Sequence, residues 1–178
     1  MKRIISTLFC LLIMLISFAQ SSGEHLKFMG VPITGTITQF QAKLTQKGCT
    51  YDKNTSTVLS AGRRAFNGTF AGNKVWIGVY YDTKTKIVYR VKAVIEHNSE
   101  KIAEQRYAKM LDLFKQKYDT SDFSYDTQDG KDALSIYLSN GTIDMFFVKN
   151  DYDDYDVHID YWDYLNNKKF NKSNLDDI

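Results

Sequence analysis

Residues 134–147 read Leu-Ser-Ile-Tyr-Leu-Ser-Asn-Gly-Thr-Ile-Asp-Met-Phe-Phe, and this stretch decides the fold. Asn140-Gly141 is the pair that type I′ turns of β-hairpins prefer. A two-residue loop there pairs Ser139 with Thr142 and, counting outward, places six apolar residues on one face. A slip of one residue would scatter them over both faces, so the pattern predicts a hairpin with one buried side. The three predicted apolar pairs are Leu138 with Ile143, Ile136 with Met145, and Leu134 with Phe147.

Other segments show the same alternation of apolar and polar residues, which is typical of strands with one buried face. In the last of them, Val157, Ile159 and Tyr161 point one way, and His158, Asp160, Trp162 and Tyr164 point the other. A short strand or extended lead-in is expected at residues 26–33, and a loop in the polar residues 51–63. The predicted strands are residues 65–71, 74–81, 87–95, 134–138, 142–147 and about 156–164.

Two segments have helical spacing instead. Thr36 and Gln39 stand at the capping-box spacing, and Gly48 is a C-terminal glycine, so a helix is predicted at about 37–47. Ser99 is a candidate cap for a second helix at about 100–118. A Tyr and Met stripe at helical spacing is more often core than a ligand site. The stripe consists of Ala103, Tyr107, Met110, Leu111, Phe114 and Tyr118.

This order of elements predicts an α+β fold. An antiparallel sheet of about six to seven strands is expected, with the helices at 37–47 and 100–118 packed on one face. A helix followed by three strands occurs twice, which suggests an αβββ duplication at the level of topology. We expect one domain over residues 20–164 and a polar C-terminal tail over residues 165–178.

Residues 1–19 have the layout of a cleavable signal peptide. Lys2 and Arg3 precede an apolar run that ends at Phe18, and Ser17 and Ala19 supply small residues for cleavage. The run is shorter than the ~20 residues that a membrane-spanning helix needs. We therefore expect an exported protein, periplasmic or extracellular, without membrane insertion after cleavage.

Charge is balanced overall but divided along the chain. Without residues 1–19, the chain has 21 basic and 21 acidic side chains. Residues 20–119 hold 16 basic and 8 acidic side chains, whereas residues 120–178 hold 5 basic and 13 acidic ones. A nucleic-acid-binding protein should show a basic excess, so no nucleic-acid partner is expected. The division instead predicts a polar molecule with one acidic side for a partner.

Aromatic residues on the outward faces of the strands are the first candidate site. Flat rings beside carboxylates stack on sugars or anchor a protein partner, since Trp and Tyr are common in binding hot spots. The alternative is that a helix or the tail covers them as a second small core. The candidate binding residues are Trp76, Tyr80, Tyr152, Tyr155, His158, Asp160, Trp162 and Tyr164.

A cluster of four carboxylates is the second candidate site. Asp151, Asp153, Asp154 and Asp156 lie within six residues, and calcium takes six to eight oxygen ligands. The glycine and the closing Glu of an EF-hand are both missing. A solvated turn between two strands is the favoured interpretation, with calcium as the alternative, and no other cofactor is expected.

No catalytic motif stands out. His25, His97 and His158 are far apart in sequence, and Cys49 with one of them is a pair that chance would supply. A carboxylate pair for glycosidic hydrolysis is left open, because the sequence does not give the separation of two carboxylates. The many Asp residues of the second half make such pairs uninformative.

The stretch Lys27-Phe28-Met29-Gly30-Val31-Pro32, continuing through Gly35-Thr36-Ile37 to Gly48, resembles a set of small exported proteins of gut Bacteroidetes. Residues 157–162 (Val-His-Ile-Asp-Tyr-Trp) fit the same likeness. That set has no assigned activity, so the resemblance implies a compartment and a lineage but no catalytic residues. The helix-plus-meander order is also similar in outline to beta-lactamase inhibitor proteins and to small outer-membrane assembly lipoproteins. A likeness of fold does not determine function.

The leading hypothesis is therefore an exported, non-enzymatic binding module. Its partner would be a protein that meets the outward aromatic residues and the acidic second half. A glycan-binding module using Trp76, Tyr80, Trp162 and Tyr164 is the second hypothesis, and a hydrolase with a carboxylate pair is the third. The oligomeric state does not follow from the sequence.

Overall fold

The computed structural model describes residues 23–97, 99–128, 131–150 and 153–167. The predicted signal peptide at residues 1–19 and residues 168–178 of the predicted tail lie outside them. Within the described residues no helix is long and apolar enough to cross a membrane. The helices and strands, in chain order, are β1 (Lys27–Phe28), β2 (Val31–Pro32), α1 (Ile37–Gln46), β3 (Thr50–Asp52), α2 (Lys53–Val58), β4 (Arg63–Phe70), β5 (Asn73–Tyr81), β6 (Val88–His97), α3 (Glu100–Lys117), a 3₁₀ turn (Thr120–Asp122), β7 (Phe123–Gln128), β8 (Lys131–Leu138), β9 (Gly141–Lys149) and β10 (Tyr155–Asp163).

Eight of the strands form one antiparallel sheet in the order β3-β4-β5-β6-β10-β9-β8-β7, and β1 and β2 form a separate two-stranded hairpin. The predicted α+β class with an antiparallel sheet is confirmed, but the predicted six to seven strands are too few. Strand β3 has only three residues, and β7 carries two apolar residues among polar ones, so neither shows clear alternation. Residues 51–63 are not the predicted loop, since they contain the end of β3 and all of α2. The Asp52 carboxylate begins α2 by accepting a hydrogen bond from the Thr55 N–H at 3.0 Å.

The molecule consists of two similar halves. Helix α1 is followed by β3–β6, and helix α3 is followed by β7–β10, so each half is a helix with four antiparallel strands. The suggested αβββ unit is therefore αββββ, with α2 inserted in the first half. The last strands of the two halves, β6 and β10, pair in the middle of the sheet.

Helices α1 and α3 contribute their apolar stripes to the same hydrophobic core. Each fully buried aliphatic or aromatic side chain there contributes about 1.5–3 kcal/mol relative to exposure. The predicted capping box of α1 is present, because the Thr36 N–H donates to Gln39 Oε1 at 2.9 Å and the Gln39 N–H donates to Thr36 Oγ1 at 3.4 Å. Ser99 stands at the N-cap of α3, but its side chain makes no capping hydrogen bond. The helical core residues are Ile37, Phe40 and Leu44 of α1, and Ala103, Tyr107, Met110 and Phe114 of α3.

The β8–β9 hairpin has the predicted buried face but a different register. Leu138 pairs with Gly141 and Ile136 with Ile143, so the two-residue loop is Ser139-Asn140 and the predicted register is wrong by two residues. A shift of two residues keeps every side chain on its face. For that reason Leu134, Ile136, Ile143, Met145 and Phe147 are still buried.

Gly141 explains why the turn prediction fails. Its φ is not positive, so it is not the turn residue that the Asn-Gly pair suggested. It pairs instead with Asp163 of β10, and a Cβ at this position would lie 2.3 Å from the Trp162 carbonyl oxygen and 2.9 Å from Leu26 Cδ2. The glycine is needed for close approach between strands rather than for a turn.

We predict that Gly141→Ala destabilises the protein by about 2 kcal/mol or more, because the methyl group overlaps backbone that cannot move aside cheaply. The measurement is chemical denaturation followed by circular dichroism. Gly23→Ala is the matched control and should change nothing, since no atom lies within 4 Å of its added Cβ. Equal stability of the two variants would contradict the close approach at Gly141.

A fully buried carboxylate ties the first described segment to the last strand. Asp163 accepts the Leu26 N–H at 2.8 Å and the Asn166 N–H at 2.9 Å, and His25 Nδ1 lies 3.1 Å from its Oδ1. The Asn166 side-chain amide donates to the carbonyls of Ile33 at 3.0 Å and Val88 at 2.9 Å. Asn166, at the start of the expected tail, is therefore buried and hydrogen-bonded to two segments of the chain. We call Asp163, His25, Leu26 and Asn166 the Asp163 clasp.

Candidate functional site

The candidate site is the side of the sheet that faces away from α1 and α3, which we call the outer face. The register places on it every second residue of β4, β5, β6, β10 and β9. A β-bulge between Tyr80 and Tyr81 changes the alternation in β6, so Val88 enters the core. The outer-face side chains used below are Arg63, Trp76, Gly78, Tyr80, Arg90, Lys92, Asp144, Phe146, Asp156, His158, Asp160 and Trp162.

The structure brings five of the predicted binding residues together on this face. They are Trp76, Tyr80, His158, Asp160 and Trp162. Asp160 is buried, and the other four are half-buried rather than freely exposed.

The other three predicted residues are not among these five. Tyr164 follows the end of β10, where its hydroxyl hydrogen-bonds the Thr142 hydroxyl. Tyr155 packs against the hydrophobic core from the opposite side of the sheet. Tyr152 lies outside the described residues.

Arginines and aromatic rings alternate along one row across the outer face. Arg63 pairs with Tyr80, Tyr80 with Arg90, and Arg90 with Trp162 on four successive strands. The Arg63 guanidinium lies 5.2 Å from the centre of the Tyr80 ring, and the Arg90 guanidinium lies 4.4 Å from Tyr80 and 3.9 Å from Trp162. These are cation–π distances. We call these four residues the Arg–aromatic row.

Asp160 holds the centre of this row in place. The Arg90 Nε donates to Asp160 Oδ1 at 2.7 Å, and Nη2 donates to Oδ2, so the pair is bidentate. Only 5% of the Asp160 side chain and 21% of the Arg90 side chain are exposed. Burial opposes the charge of Arg90, but the hydrogen bonds and charge of Asp160 raise its pKa. Asp160, predicted as an acid available to a partner, is already committed inside the molecule.

Two further charged residues lie beside Asp160. Asp144 pairs directly with Asp160 on β9, and its carboxylate accepts the Ser135 hydroxyl at 2.7 Å. Burial raises the pKa of Asp144. Lys92 pairs with Asp160 on β6, and burial lowers the pKa of its ammonium. The two carboxylates therefore stand side by side, each with its own hydrogen-bond donor.

His158 is neutral at pH 7. Burial, reinforced by the charge of Lys92, lowers its pKa to about 4. Its ring meets Phe146 edge-on at 5.1 Å, and its Nε2 lies 3.8 Å from Asp156 Oδ2. Its Nδ1 is buried without a hydrogen-bond partner among the described residues. A group with this pKa is a poor proton shuttle at neutral pH.

Among the acidic residues after β9, those that the structure describes do not gather around a common centre. Lys149 Nζ lies 2.8 Å from Asp153 Oδ1, and the Asn150 amide donates to Asp156 Oδ2 at 3.3 Å. Over the part of the chain that the structure describes, no three His, Cys, Asp or Glu side chains could hold a metal ion together. Asp151 lies outside that part, so calcium binding stays a prediction.

Two clefts open at opposite ends of the outer face. The larger, of about 580 Å³, lies beside Trp76 and is also lined by Asn67, Thr69, Lys74 and Glu96. The Trp76 ring covers Gly78, where an added Cβ would lie 2.9 Å from it. The smaller cleft, of about 350 Å³, lies at the Arg63 end of the row. Neither cleft is lined by the Asp144 and Asp160 carboxylates.

The cations of the outer face are the functional residues that sequence reasoning missed. Arg90 and Lys92 stood at alternate positions of a predicted strand, opposite its apolar residues. The alternation therefore assigned their face. The aromatic rings that these cations contact depend on which strands are neighbours. Strands β6 and β10 are neighbours in the sheet but far apart in the chain, so this contact could not be predicted.

No protein-family model, curated protein or solved structure matches this chain. The resemblance to exported Bacteroidetes proteins and the likeness to beta-lactamase inhibitor proteins therefore stay predictions.

We predict that lowering the pH from 6.5 to 4 destabilises the protein by up to about 3 kcal/mol through His158. The pKa of His158 is lower in the folded than in the unfolded state, so its contribution is complete above about pH 6.5 and is lost as pH falls toward 4. The measurement is the free energy of unfolding against pH for the wild type and His158→Gln. Asp144 and Asp156, whose pKa values burial raises, act in the opposite direction in both proteins, so the difference between the curves isolates His158 together with its contact to Asp156.

His25→Gln is the control for that experiment, since it keeps His158 and should keep the loss below pH 6.5. Parallel curves for the wild type and His158→Gln would contradict the buried, neutral state of His158.

Proposed function

We propose that this protein is an exported, non-enzymatic binding module that docks a protein partner on its outer face. The observation that carries the proposal is the Arg–aromatic row, held by the buried Asp160 on the side of the sheet that α1 and α3 leave uncovered. Trp, Tyr and Arg are the residues most enriched in protein-binding hot spots.

The row is ordered before any partner arrives. Arg90 is fixed between two rings and a bidentate carboxylate, so its long side chain has little freedom left to lose. Immobilising a flexible side chain on binding costs about 0.5–1.5 kcal/mol, and a fixed arginine avoids most of that cost. Its charge is also largely desolvated within the folded protein, which reduces the penalty when a partner excludes water.

Charge on the outer face gives a partner a preferred orientation. The basic residues Arg63, Lys74, Arg90 and Lys92 outnumber the acidic Glu96 on β4–β6, whereas the acidic residues Asp126, Asp144, Asp156 and Asp160 belong to β7–β10. The face thus has a basic half and an acidic half that meet where β6 pairs with β10. Charge arranged in this way acts more on orientation and association rate than on affinity.

The same contacts support binding over catalysis. The Asp144 and Asp160 carboxylates lie on paired strands, as a hydrolase would need, but Asp160 is engaged by Arg90 and Asp144 by Ser135. His158 is held neutral beside them. A hydrolytic pair of carboxylates needs an open position for the substrate. Here Arg90 binds one carboxylate and Ser135 binds the other.

We predict that a photo-cross-linking residue placed at Tyr137 captures one defined protein in cells of the producing organism. Tyr137 lies on the outer face in line with Trp162 and is 56% exposed. The matched control is the same residue placed at Ile102 of α3, on the opposite side of the molecule and 43% exposed. The product should be identified by mass spectrometry and its affinity measured with purified proteins.

Tyr80→Ala should weaken that affinity by about 30-fold, as for a central hot-spot residue, while leaving the fold intact. Equal cross-linking from Tyr137 and Ile102, or wild-type affinity of a folded Tyr80→Ala protein, would overturn the proposal.

A second candidate function is glycan binding in the larger cleft. Trp76 stands there beside Asn67, Thr69, Lys74 and Glu96, and an aromatic ring with polar neighbours is a suitable surface for a sugar. Trp162 and Tyr164 are less suitable, because the Arg90 guanidinium stacks on the Trp162 ring and the Tyr164 hydroxyl is bonded to Thr142.

We predict that any glycan binding on an array is lost in Trp76→Ala and retained in Trp162→Phe. The reason is that only the Trp76 ring borders the larger cleft. Binding that is lost in Trp162→Phe and retained in Trp76→Ala would place the sugar elsewhere, and a blank array would leave protein docking as the only candidate.

A further inference from the structure

We propose that the smaller cleft binds a small organic ligand through its carboxylate, a function separate from protein docking. The cleft lies at the end of the Arg–aromatic row and is lined by Gly62, Arg63, Tyr80, Tyr89 and Arg90, among others; we call it the Arg63 cleft. Its volume of about 350 Å³ is at the lower end of the range for ligand pockets and suits a molecule of monosaccharide size.

Arg63 supplies the free donors. Its side chain is exposed, and its contact within the described residues is with the Tyr80 ring, at 5.2 Å from the ring centre. It forms no hydrogen bond or ion pair with those residues, so all five guanidinium N–H groups are available. Two parallel N–H groups match the two oxygens of a carboxylate, which a lysine ammonium does not.

Arg90 and Tyr89 complete the polar side of the cleft. Arg90 uses Nε and Nη2 on Asp160, which leaves the donors of Nη1. Tyr89 lines the same cleft as Arg63 and Arg90. Burial raises the pKa of its phenol, and the charges of the two guanidiniums oppose that rise. An anion bound there would meet two positive groups on one side.

The acid that lines the cleft is already satisfied. The Asp82 carboxylate accepts hydrogen bonds from the Thr85 N–H at 2.5 Å, the Thr85 hydroxyl at 2.7 Å and the Lys84 N–H at 3.1 Å. These bonds lower its pKa although burial opposes them. Arg90 is offset by its partner Asp160, and the charge of Lys84 acts on Asp82, so the unpaired Arg63 leaves the cleft with a net positive charge that favours an anion.

The walls of the cleft are mainly polar, with two tyrosine rings among them, and its floor is hydrogen-bonded backbone. The Tyr80 ring stands between the Arg63 and Arg90 guanidiniums, and Tyr89 lies beside them. The backbone beneath is held by the Tyr81 N–H, which donates to the Gly62 carbonyl at 2.8 Å. Gly62 has φ +83°, and a Cβ there would lie 2.7 Å from the Tyr81 carbonyl oxygen. A rigid cleft with one charged end is suited to a sugar acid or to the carboxyl terminus of a short peptide.

The test is a titration of the purified protein, followed by nuclear magnetic resonance and calorimetry. The probes are glucuronate, glucose, and one tyrosine-containing tripeptide with a free and with an amidated carboxyl terminus. We expect saturable binding of glucuronate or the free-acid tripeptide that the uncharged partner of that pair lacks. Whichever acid binds identifies the source of the carboxylate.

Arg63→Gln should weaken that binding at least tenfold, and Arg63→Lys should restore only part of it, because charge without the planar fork is insufficient. Lys74→Gln is the matched control, since it removes one positive charge from the far end of the same face. Equal binding of acid and uncharged partner, no binding of either acid, or full affinity in Arg63→Gln would overturn the inference. The ligand titrations do not depend on the Tyr137 cross-link. Protein docking and the carboxylate site can therefore fail independently.

Discussion

The pairing of β6 with β10 is the interaction on which the rest of the structure depends. Eight residue pairs, from Tyr155 with His97 to Trp162 with Arg90, join the last strands of two halves that are otherwise separate meanders. Alternate pairs point to opposite faces, so the pairing that brings Ala93 and Ile159 into the centre of the core also sets Arg90 beside Asp160 outside it. The register of β6 against β10 therefore determines both the core and the candidate site, so a change of register would alter both.

The outer face shows how a sheet packed by helices on one side accommodates polar groups on the other side. A face without helical cover either stays fully hydrated or buries polar groups that must then find partners. Here the charged side chains neutralise and shield one another, since Asp160 binds Arg90, Ser135 binds Asp144, and rings flank Arg90 on two sides. Such a buried pair contributes little net stability but fixes geometry well. The result is a surface that is half-buried and internally bonded at its centre and exposed at Arg63 and Tyr137.

The sequence revealed which side of each long strand is buried but not how the strands lie beside one another. Alternation is a local property, so the faces of 74–81 and 156–164 could be predicted from their own residues. Register and neighbours depend on contacts between distant residues, which is why the Asn140-Gly141 pair misled the turn and the Arg90–Asp160 pair was not foreseen. Strand β7 and helix α2 were not predicted, because short polar segments have too few apolar residues for a periodic pattern. Their structure depends on neighbouring elements at the two edges of the sheet. The candidate rings were identified, but the cations that organise them were missed.

The Asp163 clasp has a consequence for how the chain is made. A polypeptide leaves the ribosome amino end first, and His25 appears 138 residues before the carboxylate that it needs. Closing so long a loop is entropically costly and slow, so the contacts of His25 and Leu26 with Asp163 form late, although Phe28 packs on Phe70 of the first half. Strand β10 also arrives last although it lies in the middle of the sheet. A product that ends before β10 would thus lack both the pairing with β6 and the hydrogen bonds to Asp163.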